Sequence, residues 1–355
     1  MVRIFNSLAV VAATAVTPVW SLCSHNTFLH PRATEGGETV EVKKFGYTGV
    51  TGPLFWSSLA PENTICSTGT RQSPIDMKEG SFNMMTPADV QVDIPDFTEG
   101  TEFENLGTTI EVIAKGGSLT LGEKQYSLKQ FHFHLPSEHL DNGTIRAMEM
   151  HMVWQTENQE IAVIGTYIDV ATEAGPELVI PPIVAAPSNE TAGTASVPSR
   201  FRFRRSSKTQ RRQEAVVPPT NETTTAPVQD APVSGAPTVL LETIFSTIDA
   251  IKTPGAVTQT PPLVLSEVVN IWKAGQFQGY SGSLTTPPCS EGVSWLVSTQ
   301  TLRISAVTFE KVRSVIGFNS RITQNAPGQD NILAMAAVRQ LNVFASSGAA
   351  ALKEE

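Results

Sequence analysis

Two stretches of alternating polar and apolar residues, each carrying histidine, constrain the fold more than any other feature of the sequence. In residues 130–135, His132 and His134 are two positions apart, and in residues 147–153, His151 follows Glu149 by two. Successive side chains of a β-strand point to opposite faces, so residues i and i+2 share a face. The pattern predicts two strands that each present histidine on one face and apolar side chains on the other.

Pairing of these two strands would bring the three histidines together. Asp141-Asn142-Gly143, a typical hairpin or loop signal, lies between them. Three neutral imidazoles without a thiolate are the ligand set expected for a catalytic zinc ion that keeps one position open for water. Glu149 would accept a hydrogen bond from a ligand histidine and fix its tautomer. The alternative is that the histidines are hydrogen-bonded core residues.

The surrounding chain, from about residue 43 to 170, has the composition of a mainly β region. The predicted strands are residues 109–113, 118–121, 126–135, 147–155 and 161–168. Further on, residues 239–251 and 305–314 predict helices, and residues 278–297 a loop, a Pro-Pro turn and a strand. We expect one domain over residues 40–345, interrupted by an insertion, and a flexible tail over 346–355.

The insertion, residues 172–237, is rich in Pro, Ala, Ser, Thr and Asn and poor in large apolar residues. Such a composition buries too little apolar surface to offset the entropy of ordering, which predicts disorder. The segment contains N-glycosylation sequons at Asn189 and Asn221, and a third lies at Asn142.

Residues 200–212, within the insertion, hold seven basic residues and no acidic one. Three interpretations stay open: a solvated linker, proteolytic processing at Arg204-Arg205 or Arg211-Arg212, and adhesion to a cell wall or another anionic surface. The formal net charge of -9 for the whole chain argues against a nucleic-acid partner.

The N-terminus combines Arg3 with a short apolar run over residues 8–16. This pattern predicts a secretory signal peptide, residues 1–23, cleaved between about 19 and 24; a buried first strand is the alternative. We therefore expect a secreted protein without a membrane span. Cys23 lies at the signal boundary, which leaves Cys66 and Cys289 as a pair for a disulfide in an oxidising compartment, or as two buried thiols.

Several short blocks together resemble the alpha-class carbonic anhydrases, in particular secreted, fungal-like members. The main blocks are residues 130–134 (QFHFH), 137–139 (SEH), 149–151 (EMH) and 282–289 (GSLTTPPC). Supporting blocks are residues 45–47 (FGY), 52–56 (GPLFW), 71–75 (RQSPI) and 319–321 (NSR). The resemblance implies a single mainly β domain around a large twisted, mostly antiparallel sheet, with a few short peripheral helices and zinc at the bottom of a conical cleft. It also supports the pairing of Cys66 with Cys289.

The resemblance further implies a reaction, the reversible hydration of carbon dioxide to bicarbonate and a proton through zinc-bound hydroxide. Thr285 would accept a hydrogen bond from the hydroxide and donate one to Glu138. The resemblance makes Gln130 and Glu149 partners of the ligand histidines and His139 a structural brace. The apolar wall that faces the substrate would consist of Val153, Val163, Leu284 and Trp295. Thr286 would contact bicarbonate, and Tyr47 would belong to the polar side of the cleft.

One position departs from the family pattern. The residue after Gly107, where fast members carry a histidine that relays protons to buffer, is Thr108, which does not titrate near neutral pH. We expect proton transfer to limit turnover. Two other functions compete: a catalytically silent binding or adhesion module on the same fold, and a zinc esterase activity, which we interpret as a side reaction. The presence of His132, His134 and His151 favours the enzyme.

Overall fold

A computed structural model describes residues 39–171 and 235–336. Within these residues the chain forms short strands separated by turns. The strands are β1 (Asp76–Met77), β2 (Asn83–Met85), β3 (Val90–Asp93), β4 (Glu102–Asn105), β5 (Ile110–Ile113), β6 (Ser118–Leu121), β7 (Lys124–His134), β8 (Leu140–Asp141), β9 (Thr144–Ile145), β10 (Met148–Gln155), β11 (Ile161–Val170), β12 (Val257–Gln259), β13 (Phe277–Ser283), β14 (Glu291–Ser298) and β15 (Leu302–Ile304).

The helices are short and lie at the periphery of the sheet. They are α1 (Trp56–Leu59), α2 (Ile65–Thr68), α3 (Val239–Phe245), α4 (Leu265–Lys273) and α5 (Ala306–Ile316), with 3₁₀ turns at Gly49–Thr51, Pro61–Thr64 and Ile248–Ile251. Among the residues that the structure describes, none of the helices is both long and apolar enough to span a membrane.

One large sheet dominates the architecture. Its strands follow the order β12-β4-β5-β7-β10-β11-β14-β13-β2, with β6 also pairing with β7, β3 with β6, and β15 with β11. Neighbours are antiparallel except where β14 and β15 pair with β11, which they do in parallel. A small second sheet contains β1, β8 and β9. The prediction of a mainly β fold around a large, mostly antiparallel sheet is therefore confirmed.

The two faces of the central strands differ as the alternation predicts. Phe131 and Phe133 of β7 and the methionines of β10 join the main apolar core, together with side chains of α3 and α4. Phe133 and Phe245 pack with ring centroids 4.8 Å apart, an arrangement that contributes about 0.5–1.5 kcal/mol beyond burial of their area. The opposite face of β7 and β10 carries the histidines.

The hairpin prediction at Asp141-Asn142-Gly143 is confirmed with one detail added. Asn142 and Gly143 have φ angles of 48° and 79°, as a tight hairpin turn between twisted strands requires. The turn joins β8 to β9, so the long strands β7 and β10 pair through a connection that contains this small hairpin.

The helix predictions need two corrections. The single helix over residues 239–251 is wrong, because α3 ends at Phe245 and a separate 3₁₀ turn covers Ile248–Ile251. The hydroxyl of Ser246 bonds back to the carbonyl of Thr243, which competes with helix continuation. The other predicted helix is present as α5, with Ser305 as its N-cap. Helix α4 was missed.

Candidate metal centre

The register of β7 and β10 assembles the three histidines. His151 lies opposite His132, and Glu149 lies opposite His134. The ring centroids are 5.1 Å apart for His132 and His134, 5.4 Å for His132 and His151, and 4.5 Å for His134 and His151. All three side chains are at most 2% exposed. The predicted ligand residues therefore form one compact, buried group.

A hydrogen bond orients each of these imidazoles. Nδ1 of His132 lies 2.8 Å from Oε1 of Gln130. Nδ1 of His134 lies 2.8 Å from the backbone carbonyl oxygen of Asn319. The third ring uses the other nitrogen, since Nε2 of His151 lies 2.9 Å from Oε1 of Glu149. Coordination of a metal would use the other nitrogen of each ring, which is Nε2 in His132 and His134 and Nδ1 in His151.

This donor set fits zinc. One ligand atom from each of His132, His134 and His151 lies within 4.8 Å of the others, and three neutral imidazoles suit a tetrahedral ion with one open position. Hydrogen bonds to the far ring nitrogens are the usual support of such ligands, because they fix tautomer and ring orientation.

Glu149 also contacts a fourth histidine, His139, and belongs with it and His151 to a second buried cluster. His139, Glu149 and His151 could geometrically hold a metal. However, Glu149 lies 2.7 Å from Nδ1 of His139 and 2.9 Å from Nε2 of His151, both through Oε1. Burial opposes ionisation of Glu149, but the two imidazoles outweigh it and hold the pKa of this carboxyl well below its usual range. We interpret the group as support for His151, the predicted ligand.

Glu138 lies between the histidines and the loop that follows β13. Its Oε1 accepts a hydrogen bond from the backbone N–H of Arg321 at 2.8 Å and lies 3.5 Å from Nδ1 of His134. The hydroxyl of Thr285 bonds to the same carboxyl group. Burial raises the pKa of Glu138 to about 7, although the nearby His151 and these hydrogen bonds oppose the shift. The structure thus brings together the predicted Thr285–Glu138 pair.

The loop with Thr285 is buried and covalently anchored. Thr285 and Thr286 are 3% and 0% exposed, and Cys289 is bonded to Cys66, which confirms the predicted disulfide. The amide of Gln72 donates to the carbonyl oxygen of Cys289 at 3.1 Å.

The four residues predicted to form the apolar wall share one cluster. Val153, Val163 and Trp295 lie side by side on three neighbouring strands, and Leu284 packs into the same cluster. The indole N–H of Trp295 donates to the carbonyl oxygen of Ser283 at 2.9 Å. Their contact with carbon dioxide stays a prediction.

The predicted polar residues occupy different surroundings. The half-buried ring of Tyr47 packs edge-on against Phe45 and Trp56, and burial together with the charge of Glu138 raises its pKa well above 10.0. Thr108 is 8% exposed, and its carbonyl oxygen accepts a hydrogen bond from Asn319. Of the predicted glycosylation sites, Asn142 is exposed, whereas Asn189, Asn221 and residues 200–212 lie outside the described residues.

Sequence reasoning gave no role to several residues of the site. Asn319 and Arg321 lay in a supporting block of the resemblance without an assigned function. Glu104 and Glu111 were missed altogether: both are buried and lie in one row with His132 across β4, β5 and β7. The signal for Glu111 was a single acidic residue between the apolar neighbours Ile110 and Val112. Glu104, between Phe103 and Asn105, gave no such signal.

Comparisons with known proteins all identify carbonic anhydrases as relatives of this chain. Residues 51–175 and 225–347 match the family model of eukaryotic-type carbonic anhydrases. A carbonic anhydrase of Neisseria gonorrhoeae is 30% identical over 275 residues, which cover 77% of this chain and 81% of that protein.

Solved structures agree with the family match. The structure of a fungal alpha carbonic anhydrase from Aspergillus oryzae aligns with a TM-score of 0.64 and 32% identity, covering 83% of this chain and 99% of that one. An alpha carbonic anhydrase from Thermovibrio ammonificans, in complex with the inhibitor sulfanilamide, aligns with a TM-score of 0.57 and 28% identity, covering 81% and 97% of the two chains.

Proposed function

Because the chain belongs to the family of eukaryotic-type, alpha-class carbonic anhydrases, we propose that it hydrates carbon dioxide reversibly to bicarbonate and a proton, with zinc held by His132, His134 and His151. The observation that supports this most directly is the convergence of the three imidazoles: one ligand atom of each lies within 4.8 Å of the others, and a hydrogen bond on one nitrogen orients each ring. When bound to His132, His134 and His151, zinc would lower the pKa of a coordinated water towards about 7 and so supply a hydroxide nucleophile at neutral pH.

The chain's own residues would orient the reactants. The Thr285 hydroxyl donates a hydrogen bond to Glu138, so the lone pairs of the Thr285 oxygen remain to accept a hydrogen bond from the nucleophile. This directs the nucleophile towards the substrate and restricts its rotation, a contribution of position rather than of proton transfer.

Carbon dioxide is apolar, and the wall beside the histidines suits it. Val153 follows His151 by two residues on β10, so both side chains share a face of the sheet. Val163 and Trp295 continue this row on β11 and β14. An apolar surface next to the nucleophile would hold the substrate without competing hydrogen bonds, and the charged product would leave it readily.

Metal analysis of the purified protein together with stopped-flow measurement of carbon dioxide hydration tests the proposal. We expect about one zinc ion per chain, as three ligands with one open position imply, and a hydration rate that is lost on chelation and restored by added zinc. Sulfanilamide, named as the inhibitor of the Thermovibrio ammonificans relative, should inhibit. One equivalent of zinc without hydration would contradict the proposal.

Two other functions receive less support from the site. A silent binding module would not need the complete set of His132, His134 and His151 beside the Thr285–Glu138 pair. Hydrolysis of activated esters would use the same nucleophile, and we propose it only as a side reaction.

We also propose that the protein is secreted. The apolar run over residues 8–16 and the disulfide between Cys66 and Cys289 support an oxidising compartment. Intact mass measurement of protein from the culture medium, before and after removal of N-glycans, tests both secretion and glycosylation. Protein that is retained in cells with residues 1–23 attached would contradict the proposal.

A further inference from the structure

Glu149 lies at the end of a series of hydrogen bonds that extends well beyond the histidine it supports. Its Oε1 lies 2.9 Å from Nε2 of His151 and 2.7 Å from Nδ1 of His139. Its Oε2 accepts from the backbone N–H groups of Glu138 and His139, both at 2.8 Å. An ionised carboxylate can only accept hydrogen bonds, so both imidazoles carry a proton on the nitrogen that faces Glu149. Together with the two backbone N–H groups, they fill the roughly four lone-pair sites of this carboxylate.

The second nitrogen of His139 continues the series. Its Nε2 lies 2.7 Å from Oη of Tyr280, which lies 2.8 Å from Oγ of Ser73. The backbone N–H of Ser283 donates to the same Oγ at 3.0 Å. Because Ser73 is buried, its hydroxyl proton needs an acceptor, and Oη of Tyr280 is within reach. The Tyr280 hydroxyl in turn donates a hydrogen bond to Nε2 of His139.

We propose that Ser73, Tyr280 and His139 are positioning residues for the metal ligand His151, acting through a one-way chain of donors that ends on Glu149. The inference rests on the proposed function, because it requires His151 to bind the metal through Nδ1. With its acceptor sites filled, Glu149 cannot turn without breaking several hydrogen bonds. The ring of His151 is thereby held with Nδ1 towards His132 and His134.

The donor chain also joins the metal ligand to the loop that orients the nucleophile. Ser283 precedes Thr285 by two residues, and the pairing is reciprocal, since the backbone N–H of Ser73 donates to Oγ of Ser283 at 2.9 Å. A displacement of this loop would therefore alter the support of His151 as well as the position of Thr285.

A pair of tyrosine variants separates this role from general stabilisation. Tyr280→Phe removes the hydroxyl and keeps the ring, which stacks on Trp295 with centroids 6.1 Å apart. Tyr167→Phe is the matched control. Tyr167 lies in the same apolar cluster and donates to the carbonyl oxygen of Leu140 at 3.1 Å. Tyr167→Phe loses one hydroxyl hydrogen bond and Tyr280→Phe loses two, but only Tyr280→Phe interrupts the donor chain.

The readout is the rate at which each zinc-loaded protein releases zinc to excess chelator, compared with the thermal unfolding of the metal-free proteins. We expect Tyr280→Phe to release zinc about threefold to tenfold faster than the wild type, less than the 10–100-fold loss of affinity typical when a direct partner of a ligand is removed. Tyr167→Phe should match the wild type in release. Ser73→Ala, which removes the donor to Tyr280, should change the rate in the same direction as Tyr280→Phe.

Two results would overturn the inference. If Tyr280→Phe and Tyr167→Phe release zinc at equal rates while the wild type binds zinc and hydrates carbon dioxide, the proposed function stands and the donor chain has no role. If the wild type binds no zinc, the proposed function and the inference fail together.

Discussion

His151 lies directly opposite His132 in the antiparallel pair formed by β10 and β7. A shift of this register by one residue would turn His151 to the other face of the sheet, into the apolar core. The methionines on the opposite face of β10 are fully buried in that core, which makes such a shift costly. The metal centre therefore depends on an apolar pattern as much as on its ligands.

Removal of a zinc-binding histidine should weaken zinc binding more than removal of a residue that hydrogen-bonds to such a histidine. We expect His134→Ala to weaken zinc binding by more than about 100-fold, and Gln130→Ala, which removes the partner of His132, to weaken it by about 10–100-fold. Competition with a chelator of known affinity measures both. Equal affinities for the two variants would contradict the assignment of His134 as a ligand.

Thr285→Ala should slow carbon dioxide hydration without removing zinc. Loss of the hydroxyl removes the hydrogen bond to Glu138, and a misoriented nucleophile reacts about 100-fold more slowly. Thr285→Ser keeps the hydroxyl and should stay within about tenfold of the wild type. Stopped-flow hydration, normalised to measured zinc content, distinguishes the variants. Equal rates for Thr285→Ala and Thr285→Ser would show that the hydroxyl has no such role.

Much of this centre could be predicted from local sequence, because strand alternation has a period of two and acts over a few residues. The shared face of His132 and His134 and the apolar opposite face follow from that periodicity, and the hairpin at Asn142 follows from its Asn-Gly turn sequence. The identification of the Thr285–Glu138 pair came instead from blocks that resemble a known family, since nothing local indicates that these two residues meet.

The rest depends on contacts between distant parts of the chain. The carbonyl oxygen of Asn319 reaches His134 across 185 positions of sequence, and a backbone group leaves no trace in residue type. The parallel pairing of β11 with β14 is likewise set by tertiary packing. Ser73 and Tyr280 meet across 207 positions, and neither lies in a pattern that predicts a polar partner.

The buried carboxyl of Glu138 should make the metal-free protein less stable as the pH rises. Burial raises its folded-state pKa from 4.5 to about 7, so between these values the folded state keeps a proton that the unfolded state has lost. The free energy of unfolding then falls with rising pH, by roughly 2–4 kcal/mol over this range for this group. Urea denaturation at a series of pH values measures the change.

Glu138→Gln provides the comparison, because it cannot ionise and should lack this fall. Glu160→Gln is the control, because it makes the same substitution at an exposed residue that pairs with Lys124 and leaves the buried carboxyl of Glu138 in place. A difference in stability between the wild type and Glu138→Gln that does not vary between pH 4.5 and 7 would contradict the assignment of a raised pKa.

Reduction of the disulfide should lower both stability and activity. The bond joins Cys66 to Cys289 across 223 positions, and loss of a native bridge typically costs about 2–5 kcal/mol of unfolding free energy. Because Cys289 closes the loop that carries Thr285, we expect the hydration rate of the double variant Cys66→Ala/Cys289→Ala to fall with zinc still bound. Thermal unfolding with and without reductant measures the first effect. If the wild type unfolds at the same temperature with and without reductant, although the disulfide is shown to be reduced, the expected loss of stability is contradicted.

Thr108 should be the position at which a histidine speeds turnover. Each of the four histidines in residues 39–171 and 235–336, which the structure describes, already has a role: His132, His134 and His151 form the proposed metal centre, and His139 bridges Glu149 and Tyr280. A proton released at the centre therefore has no histidine relay among them, and buffer must collect it. Thr108→His adds a group that titrates near pH 6.5.

We expect Thr108→His to raise kcat about tenfold in dilute buffer, which is less than the roughly 100-fold to 10,000-fold that a well-positioned proton-transfer group contributes. The ratio kcat/KM should stay unchanged, because the proton leaves after carbon dioxide has reacted. High buffer concentration should remove the difference, since buffer then performs the same transfer. Thr108→Ala serves as the control for loss of the hydroxyl. If kcat in dilute buffer does not rise in Thr108→His, proton transfer from the centre is not what limits this enzyme.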